Sequence, residues 1–375
     1  MALLLIVISG LLLCQFIFTI WNVKQLPALE PESISPVESI SLSILIPARN
    51  EEKRIEACIQ SIVDQRLSPK ELIVLDDHST DQTKAMVERY AQMYPWIRVQ
   101  SGKQLPKGWL GKSYACFQLA EEASSDWLLF LDADVRLKPG AIETVYKQLC
   151  SQQTGMLSGF PEQRTGTVLE HLVVPMMMFT IGCHLPVKWI KKSKHPAFAA
   201  AHGGFIAIEK NCYLTIGGHE AIKESLVDDM ALARRVKQKG FPFTLASIHR
   251  FVYMRMYDSG QEVWEGYRKN MFPGVNRNMA LLSIVFCLYT LLYVVPIVCL
   301  AIALIHFDVM NIWFALLCYG LGVSIKAVID IENGRTAVMA LFLPVSIMTL
   351  IAIGFASMKT GLKKEGYVWK GRSYE

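Results

Sequence analysis

The stretch WLLFLDADVRLKPG, residues 127–140, narrows the folds open to this chain more than any other. Its apolar run from Leu128 to Leu131 has the length of a buried strand, and it stops at Asp132, Ala133 and Asp134 before Pro139 and Gly140 mark a turn. Two carboxylates therefore stand at the carboxyl end of a buried strand. Open α/β sheets bind ligands at that edge, and a hard cation shared with substrate phosphates needs only one or two protein carboxylates. The stretch reads as a metal-diphosphate site; the alternative is a strand ending in a solvated acidic turn.

The order of elements around it favours the first reading. LSILIP reads as a strand, NEEKRIEACIQSIVDQ as a helix with Ile55, Ile59, Ile62 and Val63 on one face, ELIVLDD as a strand and TDQTKAMVERYAQM as a helix. IRVQ, WLLFLDAD and GMLSGF continue the strands, with helices predicted over 113–123 and 141–150. Strands recurring at about 30 residues are βαβ units. The pattern predicts an α/β domain over 41–267 with a mainly parallel sheet and right-handed crossovers.

Apolar residues make up 52% of the 375 and charged ones 19%, and the apolar excess sits at 2–21 and from 279 onward. Residues 2–21 are long enough to cross a bilayer. No basic residue precedes them and no small-residue cleavage pattern follows, which predicts an uncleaved anchor over 1–23. Lys24, the first charge, favours an external amino terminus and a catalytic domain facing the cytoplasm of a multi-pass cell-membrane protein. Residues 24–40, rich in Pro, Glu and Ser, read as a linker.

Three stretches of spanning length, 279–306, 309–329 and 337–358, predict membrane-embedded helices over 268–358, with Pro296 and Pro344 as kinks. The tail 359–375 carries Lys363, Lys364, Lys370 and Arg372 and is expected in the cytosol. Three full crossings after a cytosolic domain would leave that tail outside. The conflict points to one re-entrant or interfacial stretch without saying which. Residues 168–187, VLEHLVVPMMMFTIGCHLPV, are also apolar, but a span there would separate Asp134 from Asp228 and Asp229. The segment reads as a Met-rich surface at the entrance for an apolar acceptor, or as an ordinary core helix.

A net charge of +5 with no basic block interleaved with aromatics argues against a nucleic-acid partner and suits anionic lipid headgroups. The nine cysteines show no C-x-x-C and no zinc spacing with histidine, so free thiols are expected.

The first strand ends in Pro47, Ala48, Arg49, Asn50 and Glu51, the second in Asp76 and Asp77, followed by His78, Ser79, Thr80 and Asp81. A carboxylate at these edges can accept from a nucleobase imide or a ribose hydroxyl; Ala48, Glu51 and Asp77 are the candidates on the nucleotide side. Helix capping alone accounts for Ser79, Thr80 and Asp81. In KGWLGKSYAC, Gly108 and Gly111 flank Trp109 and Leu110, and Lys112 opens a helix, an arrangement suited to an anion. Gly203 and Gly204 would let backbone approach a ligand. Asp228 and Asp229 lead a helix whose packed side is Leu232, Val236 and Phe241 and whose Arg234, Arg235, Lys237 and Lys239 are expected in water. The two acids either complement the positive helix start or supply a general base.

With P-A-R-N-E, D-D-H-S-T-D, G-W-L-G-K, D-A-D, H-G-G and V-D-D in this order, the chain resembles the family 2 inverting glycosyltransferases of the GT-A fold over 41–267. Through IPARNEEKRI, GKSYAC, RMYDSG and VWKGRSY it is most similar to membrane-anchored members that glycosylate carotenoids; hopanoid-directed members share G-W-x-G-K. The resemblance implies that Asp77 contacts the uracil of a UDP-sugar, Asp132 the ribose and diphosphate, and Asp134 a Mg or Mn ion. It implies that Asp229 is the base, although Asp228 stands where the family's motif has Glu. It also implies one hexose, with UDP-glucose the expected donor, moved to a lipid acceptor such as a C30 carotenoid acid. The polyprenyl phosphates and hopanoids are alternative acceptors, and a non-catalytic membrane scaffold is the alternative to an enzyme. The Q-x-x-R-W box of processive members is not reproduced by Gln261 to Trp264 or by Tyr267, Arg268 and Lys269, which argues for a single transfer.

Overall fold

The computed structural model describes residues 1–29 and 40–362 and, as backbone, two short paired strands, Tyr367–Trp369 and Arg372–Tyr374. Most of the expected linker falls on 30–39, outside the described residues, as do Lys363, Lys364 and Lys370. Ten strands precede that pair: β1 (Leu42–Ala48), β2 (Glu71–Asp76), β3 (Ile97–Ser101), β4 (Trp127–Leu131), β5 (Val135–Leu137), β6 (Met156–Phe160), β7 (Glu162–Gln163), β8 (Phe205–Glu209), β9 (Phe243–Ser247) and β10 (Val252–Met254). Seven of them form one sheet in the order β3-β2-β1-β4-β8-β6-β9, and β8 alone runs antiparallel to its neighbours. The sheet is thus mainly parallel, as the strand spacing predicts. Strand order reverses between β1 and β4, so their carboxyl ends splay apart into the crevice where such sheets bind ligands.

The alternation along β4 shows why these residues make a central strand. Trp127, Leu129 and Leu131 pack into one apolar layer and Leu128 and Phe130 into the other. All five are buried, and each such side chain contributes about 1.5–3 kcal/mol. Helices α2 (Ile55–Val63), α3 (Thr83–Met93) and α5 (Ala141–Gln152) cover the first layer; α4 (Gly111–Glu122) and α10 (Asp228–Gln238) cover the second. Lys237, expected in water, is buried instead, because its ammonium donates to the carbonyls of Ile190 and Ser193. Its long stem packs while its head finds acceptors.

Among the described residues, four helical stretches are long and apolar enough to cross a membrane: Ala2–Val23, Met279–Ile305, Val309–Glu332 and Ala337–Leu362. The first is α1, the second comprises α12 (Met279–Tyr289) and α13 (Val295–Ile305), the third is α14, and the last ends in α15 (Leu343–Leu362). A π turn at Thr290–Val294 precedes Pro296, whose missing N–H the wider turn accommodates. Inside α14, Lys326 and Asp330 are both buried and pair at 2.5 Å.

The Met-rich segment breaks at Pro175 into α6 (Val168–Val173) and α7 (Met176–His184). Met176 and Phe179 are buried in the membrane-helix core, whereas Met177, Met178 and Ile181 pack on the sheet domain. The segment is a wedge between two cores, in keeping with the core-helix alternative, and Phe179 is 0% exposed. Asn22, at the end of α1, pins that wedge, its amide donating to the carbonyls of Gly182 and Leu185 and accepting from the N–H of Val187.

Candidate active site

A cavity of about 810 Å³ opens at the carboxyl edge of the sheet. Pro47 and Ala48 reach it from β1, Asp77 from the end of β2, Lys112 from the start of α4, and Asp132 and Asp134 from the turn after β4. Glu51 and Asp228 also line it. Asp229 stands behind this surface: its two oxygens accept from the N–H groups of Gly203 at 2.9 Å and Met230 at 2.7 Å. The predicted site residues therefore meet in one place.

At one end, the loops after β1 and β2 are laced together. The N–H of Asn50 donates to Ser79 Oγ at 3.0 Å, Thr80 N–H to Asn50 Oδ1 at 2.9 Å, and Glu51 N–H to Thr83 Oγ1 at 2.7 Å. Ser79 and Thr80 thus join loops instead of capping α3, whose first turn is held by Asp81 accepting from Thr83 N–H. Asn50 and His78 sit at φ of 52° and 55°, which asparagine and histidine tolerate better than most residues. Asp76 and Asp77, adjacent on an extended backbone, diverge. Asp77 lines the cavity, while Asp76 is buried with Oδ1 unpartnered.

At the other end the groups are charged and close. Lys112 Nζ contacts Asp132 Oδ1 at 2.7 Å. Burial alone would lower the Lys112 ammonium, but Asp132 and Asp228 hold it well above its ordinary value. Gly203 is needed here: a Cβ on it would stand 3.3 Å from Lys112 Nζ and 3.5 Å from Asp229 Oδ2. The same measurement puts Asp229 beside the Lys112–Asp132 pair. At Gly204 an added Cβ would meet the His202 ring at 3.1 Å.

Asp134 is the least satisfied carboxylate. Its Oδ1 is buried and takes no hydrogen bond, and burial, with Asp132 and Glu51 nearby, pushes its pKa up to about 7. Burial and then Asp228 likewise raise Asp229 to about 7, against the opposing pull of the Met230 N–H. An unpartnered buried carboxylate beside a second one fits a divalent cation. No cluster of three or more His, Cys, Asp or Glu side chains suited to a metal occurs among the described residues.

Sequence reasoning missed the far wall. Helix α11 (Gly260–Gly274) brings Glu262, Glu265, Arg268, Lys269 and Asn270 to the cavity, Met256 and Tyr257 precede it, and Thr360 of α15 joins them. Burial lowers Lys269 to about 8, even with Asp228 near. Arg136 also escaped notice: it donates to the carbonyls of Ala133 and Arg54, fixing the turn after β4 against α2. The charge pattern of α11 was visible, but nothing local says which wall it builds.

Residues 43–202 match the family model described as Glycosyl transferase family 2. The Asp228–Asp229 pair lies beyond the matched residues. A 4,4'-diaponeurosporenoate glycosyltransferase of Staphylococcus haemolyticus (strain JCSC1435) is 31% identical over 240 residues, 63% of this chain and 62% of that protein. The protein of the same name from Staphylococcus aureus (strain USA300) is 32% identical over 241 residues, 62% of this chain and 61% of the relative. The matches thus span less than two thirds of these relatives. A solved mannosyltransferase from Pyrobaculum calidifontis, in complex with GDP-Man and Mn2+, is similar in fold along 97% of this chain and 99% of its own, with a TM-score of 0.58 at 17% identity. The fold is therefore GT-A-like, with the membrane helices included in the likeness.

Proposed function

We propose that this protein is a membrane-bound inverting glycosyltransferase that moves one hexose from a UDP-sugar, with UDP-glucose the first donor to test, to a lipid-soluble acceptor, a carotenoid acid. The observation that carries the reading is the cavity itself, where Asp77, Lys112, Asp132, Asp134 and Asp228 converge with Asp229 behind them, facing a wall built by α11 and α15. The names of the relatives support the acceptor.

In this reading Asp77 accepts from the uracil imide and Asp132 from the ribose. Asp134, with Asp132, would hold a Mg or Mn ion, which supplies positive charge to a leaving diphosphate. Lys112 adds a fixed ammonium at the start of α4, where backbone amides also point at the anion. Displacement from the face opposite the diphosphate inverts the anomeric carbon. Asp229 takes the acceptor's proton when that acceptor is a hydroxyl, and a pKa near 7 suits the task. A carboxylic acid of pKa about 4 to 5 arrives ionised and needs no base.

The deciding experiment is UDP release from membranes containing the protein, with and without Mn or Mg, given UDP-glucose and a carotenoid acid. Metal-dependent release that requires the carotenoid, with a glycosylated product by mass, is expected. Turnover without a carotenoid product redirects the acceptor to hopanoids or polyprenyl phosphates. Absence of turnover with every sugar nucleotide overturns the enzyme reading.

A further inference from the structure

We infer that 337–362, although long and apolar enough to span, does not cross the membrane: it dips in from the catalytic face and returns to it, so the chain crosses three times.

The far face of the bundle is marked by the amino terminus and the turn before α14. Asp308 is held below its ordinary pKa first by the Asn311 side chain, and the amino-terminal ammonium is close enough to add to that. Leu5, near the start of α1, has its carbonyl within reach of Cys318 Sγ, 3.4 Å away, in the first half of α14. The near face is marked by the ends of α1 and α14. Asn22 binds the end of α7 and the turn to Val187, and Arg335, three residues past α14, donates to Gln163 O at 2.5 Å and Thr165 Oγ1 at 3.1 Å in the sheet domain.

From Arg335 the chain descends as a 3-10 helix, Ala337–Phe342. Six residues at about 2 Å each cover about 12 Å. At the bottom, Leu343 lies against Gly322, whose added Cβ would meet it at 3.5 Å. Gly322 is ten residues before the end of α14, or about 15 Å deep, half of a bilayer core of about 30 Å. Tyr319 Oη donates to the Leu341 carbonyl at 2.9 Å, and Ala340 is fully buried, so the irregular backbone at this depth is served by protein.

Helix α15 then climbs back. Ile353 packs with Val173 and Val263, next to the sheet domain. Phe272 N–H of α11 donates to Ser357 Oγ at 3.0 Å, and a Cβ on Gly361 would strike the Phe272 ring at 2.6 Å. Thr360 lines the cavity. Both ends of 337–362 are thus at the catalytic face, and its deepest point is near Leu343. This bears on the tail conflict: Lys359 emerges beside the catalytic domain, while the far turn holds His306 and Asp308 and no Lys or Arg.

The test is labelling by a membrane-impermeant maleimide in sealed right-side-out and inside-out vesicles, using full-length protein with Cys150→Ser and one introduced cysteine at a time. Gln104→Cys reports the catalytic domain, Phe307→Cys the far turn and Glu375→Cys the tail. The inference expects positions 104 and 375 to react in one vesicle orientation and 307 in the other. Labelling of 375 together with 307, or labelling of 375 only after detergent in both orientations, overturns it. Because the readout needs no turnover, it stands or falls apart from the enzyme reading.

Discussion

The two ends of the cavity are built on opposite principles. Where the β1 and β2 loops meet, polar groups answer one another: Asn50 with Ser79 and Thr80, Glu51 with Thr83. Where β4 meets α10, carboxylates outnumber their partners, and Asp134 and Asp229 both rise to about 7. The first end is a finished shape that a flat, neutral base can fill. The second is unfinished without positive charge or protons, so its stability and chemistry depend on what arrives.

The sharpest break in that contrast is Asp134→Asn. Turnover should fall by at least about 100-fold, the scale on which a lost charge-stabilising group is felt. Stability should move the other way. Asp134 titrates higher in the folded chain than the ordinary carboxylate value, so the fold loses stability as pH climbs from about 4 to about 7 and gains none back above that. Without metal, the variant should melt higher than the parent at pH 8, and the gap should close in acid. A lower melting point at pH 8 would show that the carboxylate has a partner.

Next in size is the acidic pair. With a hydroxyl acceptor, Asp229→Asn should cost about 10²- to 10⁴-fold in kcat and Asp228→Asn less; the reverse order would move the base to the residue on the cavity surface. With a carotenoid acid, Asp229→Asn should keep most of its turnover. A hydroxyl acceptor should also give a rate that rises as pH passes through about 7, where Asp229 loses its proton, and a flat profile over that range would remove Asp229 as the base. The smallest effect belongs to the finished end. Ser79→Ala loses one hydrogen bond, about 1 kcal/mol, and should raise the donor KM a few-fold with kcat unchanged; a kcat loss of the same size would tie the two ends together.

The strand ends were legible because period-two burial locates a strand and its carboxyl edge locates a ligand. That logic found Asp77, Asp132 and Asp134 from local pattern alone. It failed wherever a residue's role depends on what packs over it. Arg268 and Lys269 reach the cavity because α11 is seated on α15, and Thr360 because that helix turns back; neither fact is written near those residues. Lys237 looked solvated because a helix face shows charge but not the carbonyls of Ile190 and Ser193 waiting beneath it. The Met-rich stretch left two readings open for the same reason, since apolarity on all sides describes a wedge between two cores as well as a surface for lipid. The four membrane-length helices were visible, but counting crossings needed the contacts of their ends.

The Lys326–Asp330 pair inside α14 bears on biogenesis. A lone charge in a nascent span is costly, by about 2.5–3.5 kcal/mol on insertion scales. Placed one helical turn apart, these two travel as a single neutral contact formed within the helix itself, before any neighbour has been made. Helix α14 can therefore enter the bilayer ahead of α15, already carrying its own counterion.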